Sequence, residues 1–199
     1  IYPSNIKRKI LEKDLLKSYL EKTNEAYAIA KIAGVKLCEF YNKQYKLNYL
    51  TLMPTNIYGP DDNYDLEGSH FIPALIKKIH LAKINNKKSI TLWGNGKSRR
   101  EILYVDDLAE SVLFFMKKKT KHTLINIGTG KDMTIEKYAK KIMSVIGYNT
   151  KIKYDKKKPN GTFRKVLNIS LAKMYGWQNK TNINVGLQKT YKAYIKNFK

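Results

Sequence analysis

Segments with the composition of β-strands alternate with helix-like segments along most of this chain. Short apolar runs predict strands, which lie at 49–53, 89–93, 101–105, 124–127 and 151–154. Apolar or amphipathic stretches predict helices, which cover 24–45, 71–82, 106–116 and 134–146, with two more near the end of the chain. Strands that alternate with helices in this way indicate an α/β fold.

The long helix predicted over 24–45 carries Ala, Ile, Val and Leu on most of its faces, which is typical of a buried helix. It is followed by Tyr49–Met53, a continuous apolar run that stops at Pro54 and predicts an interior strand. Prolines, glycines, asparagines and aspartates then predict a loop over 54–69.

Several classes of protein are excluded by what the sequence lacks. No stretch reaches the roughly 20 consecutive apolar residues that a membrane-spanning helix needs, so no membrane partner is expected. No signal peptide opens the chain, and its one cysteine makes no internal disulfide, so a cytoplasmic location is expected. The first residue is Ile1 and not Met, which suggests that the protein starts further upstream.

Basic residues outnumber acidic ones by 39 to 16, which gives a formal net charge of +23. Such a charge is typical of nucleic-acid-binding proteins. Only four of the basic residues are arginines, however, and phosphate clamps and base readers favour the planar guanidinium. We therefore expect no nucleic-acid partner, and a surface that favours anionic molecules such as nucleotides. A non-catalytic basic binding module is the alternative.

Familiar ligand motifs are incomplete in this chain. The glycines do not form the G-x-G-x-x-G pattern of a dinucleotide-binding loop, and neither Gly96 nor Gly130 completes a P-loop. The three histidines lack a metal-ligand spacing, and there is no second cysteine to support a zinc site. No metal site is expected.

One pair of residues has a spacing that suits chemistry. Tyr27 and Lys31 are four residues apart in a predicted helix and so share a face. An ammonium beside a phenol favours the phenolate, which makes the tyrosine a usable proton donor to a carbonyl that is reduced by hydride. The same spacing also arises by chance in a chain so rich in Tyr and Lys. Its context favours function, because Pro54–Pro60 follows a strand end, where open α/β sheets bind ligands.

Seven segments match the motifs of one known family and follow its order over almost the whole chain. They are Thr23–Glu39, Met53–Pro60, Ser69–Leu75, Trp93–Gly96, Arg100–Asp107, Asn126–Gly130 and Pro159–Lys165. Each is modest alone. Together they resemble the extended short-chain dehydrogenases, and more narrowly the GDP-L-fucose synthases among them.

The resemblance implies the C-terminal part of a Rossmann-type parallel sheet plus a smaller α/β substrate-binding domain. Residues 1–60 would end the NADP-binding domain, and 61–199 would form mainly the substrate domain, with about 101–130 returning to the Rossmann sheet. The family's glycine-rich loop, catalytic serine and epimerisation cysteine would precede residue 1. The chain alone is therefore expected to be inactive, and the complete protein to be a homodimer. Half of a split enzyme is the alternative.

The resemblance also implies an NADPH-dependent conversion of GDP-4-keto-6-deoxy-mannose to GDP-L-fucose, by epimerisation at C3 and C5 and then reduction at C4. The implied catalytic residues are Tyr27, Lys31 and His70. The residues implied to bind NADP(H) are Tyr27, Lys31, Pro54, Thr55, Asn56, Ile57 and His70. Those implied to bind the GDP-sugar are Lys78, Trp93, Arg100 and Asn160. A related enzyme for another nucleotide-sugar stays open.

Overall fold

The computed structural model of the protein describes residues 1–66, 68–158 and 161–197. The helices are α1 (Glu25–Tyr45), α2 (Phe71–Ile84), α3 (Val105–Met116), α4 (Ile135–Ile146), α5 (Ser170–Met174) and α6 (Ile183–Asn197). The strands are β1 (Thr51–Pro54), β2 (Asn56–Tyr58), β3 (Ser89–Trp93), β4 (Arg99–Arg100), β5 (Ile102–Tyr104), β6 (Leu124–Ile127), β7 (Met133–Thr134), β8 (Lys151–Asp155) and β9 (Arg164–Lys165). The alternation confirms the predicted α/β class.

Parallel pairing dominates the sheets. β1 pairs with β6 in the register Thr51↔Leu124, and β2 pairs with β5 in the same sense. β3 and β8 are also parallel, whereas β4 lies between the antiparallel β7 and the parallel β9. The N–H of Thr55, between β1 and β2, donates to the carbonyl of Ile127 at 2.9 Å. The carboxyl ends of β1 and β6 therefore lie side by side.

Strand β2 corrects the expectation of a loop over 54–69, because it is paired with β5. The Tyr58 side chain is buried, and its ring meets the ring of Tyr104 edge-on with 5.6 Å between centroids. A Cβ at position 186 would overlap the Tyr58 hydroxyl, so α6 closes over β2 because Gly186 carries no side chain. This packing outweighs the turn-forming composition of the segment.

Two main apolar clusters fill the interior. The larger joins α2, α4 and α6 to β3, and its most buried members include Ile76, Ile79, Tyr138, Ile142 and Leu187. The smaller joins β5, β6, α3 and α5, and its buried members are Leu103, Phe115, Ile125, Ile127, Ala172 and Trp177. The helix predicted over 134–146 forms as α4 and packs its predicted apolar side into the larger cluster. The domain division at residue 60 stays a prediction.

The expectation of a buried helix over 24–45 is wrong for this chain. Within α1, only Ala28 and Ile32 are buried. Its exposed large apolar side chains are Tyr27, Ile29, Leu37, Phe40, Tyr41 and Tyr45. The described residues leave the outer side of α1 uncovered. They also give β1 a single strand neighbour, β6, so β1 is not an interior strand here.

None of the described helices is both long and apolar enough to cross a membrane.

A buried asparagine attaches the N-terminal segment to β6. Asn126 is fully buried, and its Nδ2 donates to the carbonyls of Ile10 at 3.0 Å and Asn168 at 3.2 Å. Its Oδ1 accepts a hydrogen bond from the Tyr2 hydroxyl at 2.6 Å. One amide therefore satisfies three groups from two distant parts of the chain.

Replacing Asn126 with alanine is expected to lower the free energy of unfolding by about 2–4 kcal/mol, because the Asn168 carbonyl loses its donor and the Ile10 carbonyl keeps only the N–H of Asn168. Tyr2→Phe removes one of the three hydrogen bonds and is expected to cost about 1 kcal/mol. Urea unfolding followed by circular dichroism compares both variants with the parent chain. Equal losses in the two variants would contradict the central role of the amide.

Candidate active site

A cavity of about 1100 Å³ opens between α1, the β1–β2 segment and residues 162–167. The first three residues of the chain also line it. Pro54 is the last residue of β1, so the cavity includes the carboxyl end of a parallel strand, which is where α/β sheets bind ligands.

Tyr27 and Lys31 lie one turn apart on α1, and both line the cavity. The Lys31 Nζ lies 5.6 Å from the centroid of the Tyr27 ring, within the range of a cation–π contact. Tyr27 is 57% exposed, which leaves its ring open to a ligand. The helix thus presents a phenol and an ammonium together.

Residues 54–57 form another wall of the cavity, since all four line it. Thr55 Oγ1 and Asn56 Nδ2 donate to the backbone carbonyl of Glu101, at 3.2 Å and 2.9 Å. These two bonds fix the wall to the start of β5. The sequence indicated residues 54–57 as site residues, but it did not predict their hydrogen bonds to the Glu101 carbonyl.

His70 lines the cavity as well. It precedes the first residue of α2 in an extended conformation, with φ −64° and ψ 160°, and is exposed. The seven residues expected to bind NADP(H) therefore surround one cavity. They come from α1, the β1–β2 segment and the start of α2.

Lys78 and Trp93 form a separate cluster outside the residues that line this cavity. The Lys78 Nζ lies 5.6 Å from the centroid of the indole ring, and Lys158 Nζ lies 5.2 Å from it. Lys78 Nζ also donates to the carbonyl of Thr91 at 3.3 Å, and partial burial lowers its pKa. Trp93 is 49% exposed, so the ring is available to a ligand.

Arg100 contacts Thr162, one of the residues that line the cavity. Its Nη1 donates to the carbonyls of Arg99 at 2.8 Å and Thr162 at 2.6 Å, and burial lowers its pKa. Lys165 is its partner in the pairing of β4 with β9, and burial together with the charge of Arg100 lowers the pKa of this lysine. Asn160, expected beside them, lies outside the described residues.

Lys165 and Arg164 line the cavity, although sequence reasoning gave them no role. The signal was present, because both belong to the segment Pro159–Lys165 that contributed to the family resemblance. Sequence spacing did not show that β9 would lie beside β4 and turn these cations toward the cavity.

Asp132 joins two of the four arginines. Its Oδ2 accepts from Nε of Arg164 at 2.8 Å and from Nε of Arg99 at 2.5 Å, and its Oδ1 accepts from Arg164 Nη2 at 2.9 Å. The Arg164 hydrogen bonds, followed by those of Arg99, lower the pKa of this carboxyl from 3.8 to about 2.

Within the described ranges, no group of three or more His, Cys, Asp or Glu could hold a metal ion.

Residues 1–128 match the profile of the NAD dependent epimerase/dehydratase family. The chain belongs to this family, and its mixed α/β fold with parallel strands is Rossmann-like. That family assignment fits a cavity placed at the carboxyl end of β1.

Two curated relatives are named GDP-L-fucose synthase, one from Sinorhizobium fredii (strain NBRC 101917 / NGR234) and one from Escherichia coli (strain K12). Each is 43% identical to this chain over 99% of its length. The chain covers 63% of the first relative and 64% of the second, and so spans less than two thirds of their length.

A solved structure shows the same fold. It is MlghC, a GDP-mannoheptose C4 reductase from Campylobacter jejuni with NADP bound. It is 32% identical to this chain, with a TM-score of 0.86, and the match covers 98% of this chain and 67% of that one.

Asp132→Asn is expected to lower the free energy of unfolding near neutral pH by about 2 kcal/mol. The folded pKa lies below the ordinary value, so the stabilisation is present above about pH 4 and is lost as the pH falls toward about 2. The difference between variant and parent should therefore shrink in acid, as measured by urea unfolding at several pH values. Glu110→Gln, which removes an exposed ion pair to Lys180, is the control and should change little. A difference independent of pH would contradict the arginine-paired carboxylate.

Proposed function

We propose that this chain forms the larger part of an enzyme that converts GDP-4-keto-6-deoxy-mannose to GDP-L-fucose with NADPH. The observation that carries the proposal is that Tyr27, Lys31, His70 and the segment 54–57 all line the same cavity. The two relatives at 43% identity support the same substrate. The reaction inverts C3 and C5 of the sugar and reduces the ketone at C4.

The cavity fits the nicotinamide end of NADP(H). It offers the Tyr27 hydroxyl and the Lys31 ammonium beside apolar surface from Val35, Pro54 and Ile57. When bound, NADPH supplies the hydride that reduces the ketone. The cofactor-binding residues in this proposal are Tyr27, Lys31, Pro54, Thr55, Asn56, Ile57 and His70.

Three side chains take part in proton transfer, two by moving protons and one by stabilising the phenolate that results. Tyr27 donates the proton that the C4 oxygen takes up on reduction. Lys31 stabilises the resulting phenolate from one helical turn away and can donate to a ribose hydroxyl. His70 moves protons during epimerisation, because hydrogens beside a ketone are acidic enough for an imidazole to abstract.

The GDP-sugar is assigned to Lys78, Trp93, Arg100 and Asn160. Trp93 offers an exposed indole face, and the ammonium groups above it suit a negatively charged ligand. Arg100 and Lys165 place two partly desolvated cations beside the cavity, where they would bind a diphosphate. The two groups of residues thus fit the two ends of a nucleotide-sugar.

Catalysis in this proposal requires polypeptide beyond these 199 residues. The relatives are longer by more than a third of their length, and this sequence has no glycine-rich dinucleotide loop. Residues 1–60 then complete a cofactor domain, and 61–199 form mainly the substrate domain. The exposed apolar side of α1 supports contact with such a segment or with a second copy in a homodimer.

GDP added to the 199-residue chain is expected to quench Trp93 fluorescence along a saturable curve. Trp93 is 49% exposed and Trp177 only 3%, so the change should vanish in Trp93→Phe. Lys78→Met should weaken GDP binding about tenfold, because it removes the cation over the indole. Lys189→Met removes a similar cation from the ring of Tyr104 and is the matched control. No saturable quenching, or equal weakening in the control, would contradict the assignment.

Tyr27→Phe is expected to lower turnover by about 10²–10⁴-fold, because the ketone oxygen loses its proton donor. Loss of NADPH absorbance with the keto-sugar measures turnover. The chain should be inactive alone and active when joined to a segment that carries the dinucleotide loop. Tyr41→Phe, on the same helix but away from the cavity, is the control and should keep full activity. A fully active Tyr27→Phe would refute the role of the phenol.

A further inference from the structure

Glu101 is a charged side chain that the proposed chemistry does not use. It lies between β4 and β5 and has no exposed surface. Its Oε1 accepts hydrogen bonds from the backbone N–H groups of Thr129 and Gly130, each at 2.6 Å. Its Oε2 accepts from the backbone N–H of Leu167, also at 2.6 Å.

The backbone of the same residue binds a second wall of the cavity. Its carbonyl accepts from Thr55 Oγ1 and Asn56 Nδ2, and both of these residues line the cavity. Leu167, whose N–H the carboxylate binds, also lines the cavity. One residue therefore connects the wall that is assigned to the cofactor to the wall formed by the segment that contains Lys165 and Leu167.

The carboxylate fills its site tightly. A Cβ at position 128 would overlap Oε1, so the turn after β6 approaches the carboxylate only because Gly128 lacks a side chain. Burial raises the pKa of Glu101, and the N–H donors of Leu167, Gly130 and Thr129 oppose that rise by favouring the charged form. With the Thr129 hydroxyl at 3.3 Å from Oε1, four donors surround one acid, and they match an acceptor-only group, which is the ionised carboxylate.

We propose that Glu101 is a positioning residue that sets the separation between the two walls of the cavity. This inference rests on the proposed function, because the cofactor and the sugar are the ligands that the two walls would hold. A fixed separation keeps residues 54–57 and 165–167 at the distance that these ligands need. Glu101 acts through Thr55, Asn56 and Leu167 and touches neither ligand.

Glutamine is nearly the same size but is the wrong hydrogen-bonding group. With its oxygen toward Thr129 and Gly130, its NH₂ group would face the Leu167 N–H, donor against donor. Glu101→Gln is therefore expected to release residues 165–167 directly and to loosen residues 54–57 through the shifted backbone carbonyl of residue 101. Glu101→Asp keeps the charge but is one methylene shorter, so it cannot reach both sides; it serves as the second variant if the glutamine variant does not fold.

Amide hydrogen exchange of the 199-residue chain tests the connection. Glu101→Gln should speed exchange at Leu167 by about tenfold or more and also speed it at Asn56, while the core of α4 is unchanged. Asp107→Asn is the matched control, because this buried carboxylate accepts from the N–H groups of Lys180 and Thr181, away from the cavity. It should change exchange only near those two residues. Unchanged exchange at Leu167 in Glu101→Gln would overturn the proposal.

Steady-state kinetics of the active, joined protein separate positioning from general stability. Glu101→Gln should raise the KM for NADPH about tenfold or more, and Asp107→Asn should leave it unchanged at a similar loss of stability. An unchanged KM and kcat in Glu101→Gln would overturn the positioning role. A parent protein without turnover would instead refute the proposed function, and the exchange results would still decide whether Glu101 connects the two walls.

Discussion

The parallel pairing of β1 with β6 and of β2 with β5 is the constraint on which the cavity depends. It places the chain that leaves β1 next to the chain that leaves β6, and both meet the start of β5. Residues 54–57 are then fixed by backbone pairing on one side and by the Glu101 carbonyl on the other. Helix α1 adds Tyr27 and Lys31 to the same cavity, so these side chains lie on or directly between regular elements and not on a free loop.

The charges near the cavity are arranged differently from those on the rest of the surface. Most lysines are scattered and exposed, which accounts for the net charge of +23 without forming a site. Arg100 and Lys165 are instead partly desolvated and adjacent, and they face each other across β4 and β9. Asp132 pairs with the neighbouring Arg99 and Arg164, whereas the Arg100 guanidinium donates to backbone carbonyls, which leaves its positive charge beside Lys165, where a diphosphate is proposed to bind.

The sequence predicted most of the fold because its signals were local. The apolar side of α4, the short apolar run of β3 and the spacing of Tyr27 and Lys31 all depend on residues a few positions apart. Strand β2 and the exposure of α1 could not be predicted, because each depends on what the rest of the protein does or does not place against it. The same reason hid Glu101, whose partners lie 28 to 66 positions away along the chain.

Helix α1 leaves six large apolar side chains in water on a molecule that carries 23 net positive charges. These two features oppose each other in solution. Repulsion between like charges keeps the molecules apart at low ionic strength, whereas the exposed apolar surface of α1 favours their association. Salt screens only the repulsion, since the Debye length falls to about 8 Å at physiological ionic strength. The colloidal behaviour of the isolated chain is thus set by salt, and purification in dilute buffer and in physiological buffer will not yield the same species.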